Sequence, residues 1–553
     1  MNHIELFAGC GGLSLGLEKA GFELVLANEL SPMAAETFAF NFFNENLEEL
    51  ADNDKAPQHT FWINSHKKTL KERLRENPFN YPALDKSGFS NLPRDTRELN
   101  GKLVVGSIVE LNRLLDSNKE LLTDLRTAFG REGGLDLVSG GPPCQSFSMA
   151  GLREKDSDKN TLPWEFVKFV EKTQPKLAML ENVTGILRPF EGDDGHKFHA
   201  WYEVAKAFSM IGYIPLCLHI NARFSGIAQN RPRFILIAFR ESYFQSISTQ
   251  LMESSKHTGN RELLKPSLKF HEKVKKEGEN LPFGHLNYCD LADTEMKILF
   301  RWSFLSELFA DKENNVKDAL DDLKQKYPSE PSDYVKELNK KFDFLSERSR
   351  LYNHEFRKNS DIVKRRFRIY QVLQNIDDSA VTKNVLAVMK DQENIAELSD
   401  KSWEMCSGYH FLSEHSTLIK FRDKTSFIEY LRSHPTKKQT QKALNPRKPA
   451  PAALSIPDDA CHYDEHELRV LTVREMARIQ SFPDNFVFRS KVTTGGKMRS
   501  FEVPQYTQVG NAVPPLLGLK LGKCLNRLLS YSQNSICSAE SGKLCSKVEE
   551  TDI

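Results

Sequence analysis

The chain has 553 residues, of which 39% are hydrophobic and 27% charged. That is the make-up of a soluble globular protein of two to four domains, and no apolar run reaches the roughly 20 residues that a membrane-spanning helix needs. The net charge of +1 excludes a global basic footprint, so any nucleic acid must be met by local patches.

The opening "MNHIELFAGCGG" lacks a basic segment followed by a long apolar stretch, so it reads as a strand beginning almost at residue one and not as a signal peptide. Nine cysteines with no CxxC spacing point to a reduced, cytoplasmic protein. Strand 3–8 runs into a Gly-rich turn (Gly9, Gly11, Gly12) and then a helix over 13–21, capped by Gly21. A second strand, 23–29, ends in Glu29, twenty positions after Gly9. Glycines let a backbone approach a ligand closely, and the carboxylate accepts from ribose hydroxyls. Taken alone, the motif fits NAD, FAD or S-adenosylmethionine, or a strand–helix turn with no ligand.

The polar stretch 44–101 interrupts this rhythm as an insertion of no evident role, with a helix expected over 66–78. Strands are expected again at 102–107 and 135–140. The latter enters "SGGPPCQSFSMAG", where two prolines stiffen the backbone just past a strand end and place Cys144 on a rigid loop. Open α/β sheets keep their chemistry at such strand ends. A free thiol titrates near 8.5, so a nucleophilic one needs this kind of placement and help from neighbours. No His or Lys lies in "GGPPCQSFS" itself. The next strand, 176–182, ends in Glu181-Asn182. A carboxylate there is more often a solvated group or a cap, but in a parallel sheet it would stand beside the Cys144 loop. Strands 214–220 and 233–239 bracket "ARFSGIAQNRPRF". In extended chain Arg231 and Arg233 face one side, suited to an anion or a base edge, or else form a surface basic turn. Alternating strands and helices over 1–240 argue for an α/β layer fold on a mostly parallel sheet.

From 241 to 465 the rhythm gives way to charged helical stretches. Two basic clusters there suit phosphate contacts: "VKRRFRIY" (363–370), and Lys437, Lys438, Lys442, Arg447 and Lys448 with no acid between them. Compact sequence returns in "LTVREMARIQSFPDNF" (471–486) and "YTQVGNAVPP" (506–515). A frayed tail is expected over 532–553.

These six pieces, in this order, resemble the DNA (cytosine-5) methyltransferases: "FAGCGG" the cofactor motif, "GGPPCQSFS" the nucleophile loop, "ENV" the glutamate motif, "QNRPR" the Gln-x-Arg-x-Arg motif, 471–486 the helix supporting the recognition domain, and "QVGNAVPP" the closing motif. The resemblance covers about 1–43, 102–240 and 466–530. It implies a Rossmann-like S-adenosylmethionine-dependent fold over 1–240, a smaller target-recognition region over 241–503, and a C-terminal return over 504–531. It implies Cys144 as nucleophile, Glu181 acting at cytosine N3, and Arg231 and Arg233 as their partners. Phe7, Ala8, Gly9, Gly11, Gly12, Glu29, Leu30, Ser107, Ile108, Pro142, Asn511 and Ala512 would hold the cofactor. Gln145, Ser146, Asn182 and Gln229 would meet the flipped cytosine, with "SFSMAG" as a lid. Ser107 stands where many members carry an acid at the adenine amine, and a hydroxyl accepts more weakly. The implied partners are double-stranded DNA and a cognate restriction endonuclease, with no metal, no membrane and a monomeric state. The alternatives are an RNA cytosine-5 methyltransferase and a non-catalytic DNA-binding protein on the same scaffold.

Overall fold

The computed structural model describes residues 1–84, 88–143, 162–191, 197–343, 350–391, 395–436, 441–452 and 454–545. Its centre is a nine-stranded sheet of β1 (Asn2–Leu6), β2 (Glu23–Glu29), β3 (Thr60–Trp62), β4 (Lys102–Val105), β5 (Leu137–Gly140), β6 (Leu177–Val183), β7 (Tyr213–Asn221), β8 (Pro232–Arg240) and β9 (Cys289–Asp290). The order across the sheet is β9-β7-β8-β6-β5-β1-β2-β4-β3. Every pairing is parallel except those of β8, which runs antiparallel to both β6 and β7. The middle strands are near-continuous apolar runs because both faces are covered. On β8, Ile235, Ile237 and Phe239 join one core cluster while Phe234, Leu236 and Ala238 join the other, the period-2 alternation of a sheet buried on both sides.

The flanking helices include α1 (Gly12–Lys19), α2 (Pro32–Phe42), α3 (Ile108–Ser117), α4 (Leu162–Thr173) and α5 (Ala200–Met210). Proline at the first position of α2 is pre-set for a helix start, and the Ser107 hydroxyl caps α3 by accepting from Val109 N at 3.2 Å. Gly21 stands at φ +95° just past α1, the left-handed stop that glycine supplies.

The stretch 44–101 proves to be part of the sheet. β3 pairs with β4 and forms the outermost strand, with Trp62 opposite Val105. The three residues of β3 are too short a run to register as a strand in an otherwise polar stretch. The helix expected over 66–78 shrinks to Leu70–Arg73, because the chain turns away to bury Arg73.

The core does not break at 240. Leu263, Phe300, Val316, Val335 and Phe342 belong to the same cluster as one face of the nine-stranded sheet, because the charged helical stretches after 240 are amphipathic and lay their apolar faces on it. A separate small core forms later, from α6 (Asp361–Ile376), α7 (Ser379–Lys390) and α8 (Lys424–Arg432), around Phe367, Val385, Phe411 and Phe427. In α6 the expected phosphate-binding arginines have protein partners, and Arg368 is buried. Arg368 donates to the His410 carbonyl and pairs with Glu465, Arg365 donates to His434, and Arg366 to the Pro435 carbonyl. Lys448 pairs with Asp377, an acid distant in sequence and near in space. Lys437 and Lys438 lie outside the described residues.

The supporting helix of 471–486 is α9 (Val473–Ile479), opened by a capping box between Thr472 and Glu475. The C-terminal return is α10 (Gln505–Asn511) and α11 (Pro515–Cys545). α11 lies on α1 so closely that a Cβ at Gly16 would stand 2.4 Å from Leu519 N. Its backbone stays helical to Cys545, past the expected tail boundary at 532, since no proline follows Pro515 to stop it.

Candidate active site at the carboxyl edge of the sheet

Parallel registers fix which residues meet at the edge. Asn28, Leu6, Gly140 and Leu180 lie abreast on β2, β1, β5 and β6. One residue further on stand Glu29, Phe7, Gly141 and Glu181. The chain order reverses between β1 and β5, and a crevice outside the strand ends at such a switch point is where open α/β sheets bind ligands.

On the β1–β2 side, Phe7 takes the left-handed conformation at φ +55°, which turns the chain into Ala8 and Gly9. The Glu29 carboxylate accepts from Gly9 N at 2.8 Å and from Ser31 N at 2.7 Å, and burial pushes its pKa up. The three glycines have different reasons. A Cβ at Gly11 would strike the Phe42 ring and one at Gly12 the Val513 carbonyl, whereas a Cβ at Gly9 would meet nothing within 4 Å. Gly11 and Gly12 thus serve protein packing, and Gly9 faces open space. Leu30 is half-buried beside Glu29, and Ile108 is buried at the start of α3. The same contact at Gly12 seats the C-terminal return on the glycine turn, with Ala512 half-buried and Asn511 exposed next to it. Open space over Gly9, a carboxylate with lone pairs to spare and a neighbouring cap at Ser107 fit an adenosyl group.

On the β5–β6 side, the Asn182 side chain donates to the Pro142 carbonyl at 3.0 Å and so ties the "ENV" strand end to the proline loop. A Cβ at Gly141 would stand 3.0 Å from Glu181 Oε2. Because β8 is reversed, its first residues arrive at this same edge, with Arg233 opposite Val183. Arg233 Nε lies 2.7 Å from Glu181 Oε1, an ion pair with both side chains about nine-tenths buried. Burial lowers the Arg233 pKa and the carboxylate opposes that shift. Cys144, Gln145, Ser146 and the lid stretch lie outside the described residues; Pro143 is the last described residue before them.

Arg231 differs from Arg233. Its guanidinium donates to the carbonyls of Gly510 at 2.6 Å, Ala512 at 3.1 Å and Ala452 at 3.3 Å. It binds the C-terminal return and the segment around Ala452 to the sheet edge. Gln229 does likewise: its side chain donates to the Pro451 carbonyl at 3.0 Å, and Gln229–Asn230 pair with Ala450–Pro451.

Other polar residues hold this edge together, and of these only Gln508 lies in one of the six motifs. Asn28 donates to the Val104 and Gly106 carbonyls and pins the end of β4. The Gln508 amide donates to the carbonyls of Met33, Arg489 and Val503, and its oxygen accepts from Thr37. Glu5, buried within β1, accepts from Ser14, and desolvation raises its pKa to about 8. The signal available for Asn28 and Glu5 is a polar residue inside an apolar strand, since such a group must find a partner.

A family model described as C-5 cytosine-specific DNA methylase matches residues 1–65 and 119–527. The chain is 26% identical to Type II methyltransferase M.DdeI of Desulfomicrobium norvegicum, over 97% of this chain and 90% of that protein. It is 26% identical to Type II methyltransferase M.Bpa9945I of Bacillus paralicheniformis (93% and 96%), and 25% identical to Type II methyltransferase M1.HphI of Haemophilus parahaemolyticus (96% and 87%). With a glycine turn and carboxylate fit for an adenosyl group on one side of the switch point and a paired Glu–Arg on the other, the chain belongs to the C-5 cytosine-specific DNA methylases, S-adenosylmethionine-dependent enzymes acting on DNA.

Proposed function

We propose that Cys144 adds to carbon 6 of a cytosine turned out of duplex DNA, with Glu181 and Arg233 as the polar pair that stabilises the adduct. Carbon 5 of cytosine is a poor nucleophile. Adding a thiolate at carbon 6 breaks the aromaticity and makes carbon 5 enamine-like. Bound S-adenosylmethionine supplies the electrophilic methyl group. Glu181 holds a proton at cytosine N3 as charge builds on the ring, and Arg233 lies at the base carbonyl. After methyl transfer a base or ordered water takes the carbon 5 proton, and the electron pair left behind reforms the 5,6 double bond and expels the thiolate. The observation that carries this reading is the buried Glu181–Arg233 pair against Gly141, three residues before Cys144. Gln145, Ser146 and Asn182 line the pocket for the flipped base, whose unstacking costs a few kcal/mol. Phe7, Ala8, Gly9, Gly11, Gly12, Glu29, Leu30, Ser107, Ile108, Pro142, Asn511 and Ala512 hold the cofactor. Arg231 and Gln229 act as positioning residues that lock the return and the recognition region onto this edge.

The cellular role is protective modification at one short duplex sequence, paired with an endonuclease cutting the same site. Relatives named Type II methyltransferases match along nearly their whole length, which supports it. The test is incubation of mixed DNA with labelled S-adenosylmethionine, followed by bisulfite sequencing. Methylated cytosine confined to one sequence context is expected. Label in RNA alone, or in neither nucleic acid, would overturn the reading.

A further inference from the structure

Beyond the Glu181–Arg233 pair, the same edge carries cations that no protein anion answers. β7 runs parallel to β6, because both are antiparallel to β8, so its end at Asn221 opens on the side of the sheet where Arg233 lies. The turn Ala222–Ser225 follows at once, and Ala222 N donates to the Arg231 carbonyl at 3.0 Å. On this turn the Arg223 guanidinium lies 4.7 Å from the centre of the Phe224 ring, and Lys297 Nζ lies 4.5 Å from the centre of the same ring. At the end of the helix Thr294–Arg301, the Arg301 guanidinium lies over Phe309 at 4.3 Å. Among the described residues none of the three cations forms an ion pair. Of the acids near them in sequence, Asp293 caps that helix by accepting from Glu295 N and Met296 N, Glu307 pairs with Arg527, and the exposed Glu295, Asp311 and Glu313 form no ion pair with the three.

An ion pair would cancel each charge. An aromatic ring attracts a cation through its quadrupole and leaves the net charge in place. Lys297 and Arg301 also stand four residues apart on one helix, where like charges destabilise. Such a row disfavours the isolated fold and suits a row of anions outside it. Its position says which anions. Ser225 Oγ donates to the Leu308 carbonyl at 2.7 Å, Ala310 N to the Phe224 carbonyl at 2.8 Å, and the Asn314 side chain to the Gly226 carbonyl at 2.7 Å. Val316 N and Lys317 N then donate to the Lys448 and Pro446 carbonyls, both at 3.1 Å, and Arg447 between these two is exposed. The cations therefore extend the strand-end site outward, on a stretch that leads to the basic loop at Arg447. A duplex carries one negative charge per roughly 1.7 Å of its axis, and a base turned out toward Glu181 brings the phosphates on either side of it over this edge.

We propose that Arg223, Lys297 and Arg301 grip the phosphate backbone of the duplex flanking the target cytosine, outside the bases read for sequence. This rests on the placement of that cytosine at Glu181. The test is DNA binding by the full chain, with S-adenosylhomocysteine present, to two duplexes carrying the sequence that bisulfite sequencing finds methylated. One spans about one helical turn around the site, and the other adds about one further turn on each side. On the longer duplex, Lys297→Gln with Arg301→Gln should lower the slope of log affinity against log salt by about two. Between about 50 and about 200 mM salt the wild-type chain should then lose about tenfold more affinity than the variant. On the short duplex the two should bind alike, with S-adenosylhomocysteine affinity unchanged. Equal slopes on the longer duplex would overturn the proposal and assign the patch, with the exposed Ile298 and Trp302 beside it, to a protein partner. An equal drop on both duplexes would overturn the flanking placement. If the double variant fails to fold, Arg301→Gln alone, at an exposed position, should lower the slope by about one. Methyl transfer by the wild-type chain, read in parallel, keeps two failures apart: equal slopes with cytosine methylated sink this patch alone, and an unmethylated cytosine sinks the site on which it rests.

Discussion

Buried charge is handled in opposite ways at the sheet edge and around α9. At α9 every charge is answered by protein. Arg469 pairs with Glu467 and Glu475, Arg478 with Asp322 and Asp484, and each nitrogen of the Arg474 guanidinium donates to a carbonyl, those of Tyr352, Pro483 and Phe486. At the sheet edge the pairing is sparser: a single Arg233 answers Glu181, and each oxygen of Glu29 accepts one backbone bond with a lone pair to spare. The contrast separates buried charges paired within the protein, which hold the fold, from strand-end carboxylates that keep room for a further partner.

Substitutions should separate the two regions. The largest effect is expected from Cys144→Ser, which should lower methyl transfer more than about a thousandfold and leave S-adenosylhomocysteine binding intact, read by labelled-methyl incorporation beside calorimetry. Normal turnover in that variant would remove the nucleophile from the scheme. Glu181→Gln should lower kcat by about 10²–10⁴-fold with cofactor affinity unchanged. By contrast, Glu475→Gln should act on stability and not on chemistry. It breaks a buried pair and should cost about 3–5 kcal/mol in urea denaturation, with the specific activity of the folded fraction unaltered. The pH dependence of that cost follows from the Glu475 carboxyl, which the Arg469 guanidinium holds down at about 2 despite burial. A depressed folded pKa adds stability above the usual carboxylate value of 4.5, and that stability is lost as pH falls from there toward 2. The wild-type chain should therefore weaken over that window more steeply than Glu475→Gln. Smallest of all, Lys442→Ala with Arg447→Ala, both exposed, should lower the salt slope of DNA binding by about one for each phosphate no longer neutralised and leave the melting temperature alone. Arg368→Ala in α6 should do the reverse.

The sheet is legible in the sequence because apolar runs bounded by glycine and proline are a local signal. β2 matches its expected span to the residue, and the Gly9, Pro142 and Glu181 strand ends converge because parallel strands aim their carboxyl ends one way. The sequence pattern does not distinguish Arg231 from Arg233. Both alternate in extended chain, yet one anchors carbonyls more than 200 residues away in sequence and the other meets Glu181, a difference set by long-range packing. The role of 44–101 is hidden for the same reason. A three-residue edge strand has no period to detect, and Arg73 beneath Trp62 looks like any surface arginine in a charged stretch. The α6 cluster misleads because sequence shows charge but not His410, Glu465 or His434 waiting across the fold.

The close seat of α11 on α1 bears on the order in which the ribosome delivers the chain. β1 is an interior strand and α1 emerges straight after it, yet the groove around Gly16 is filled only when Gly518 and Leu519 have been made. Through most of synthesis that groove stays bare, and a fragment ending before α11 should aggregate rather than fold.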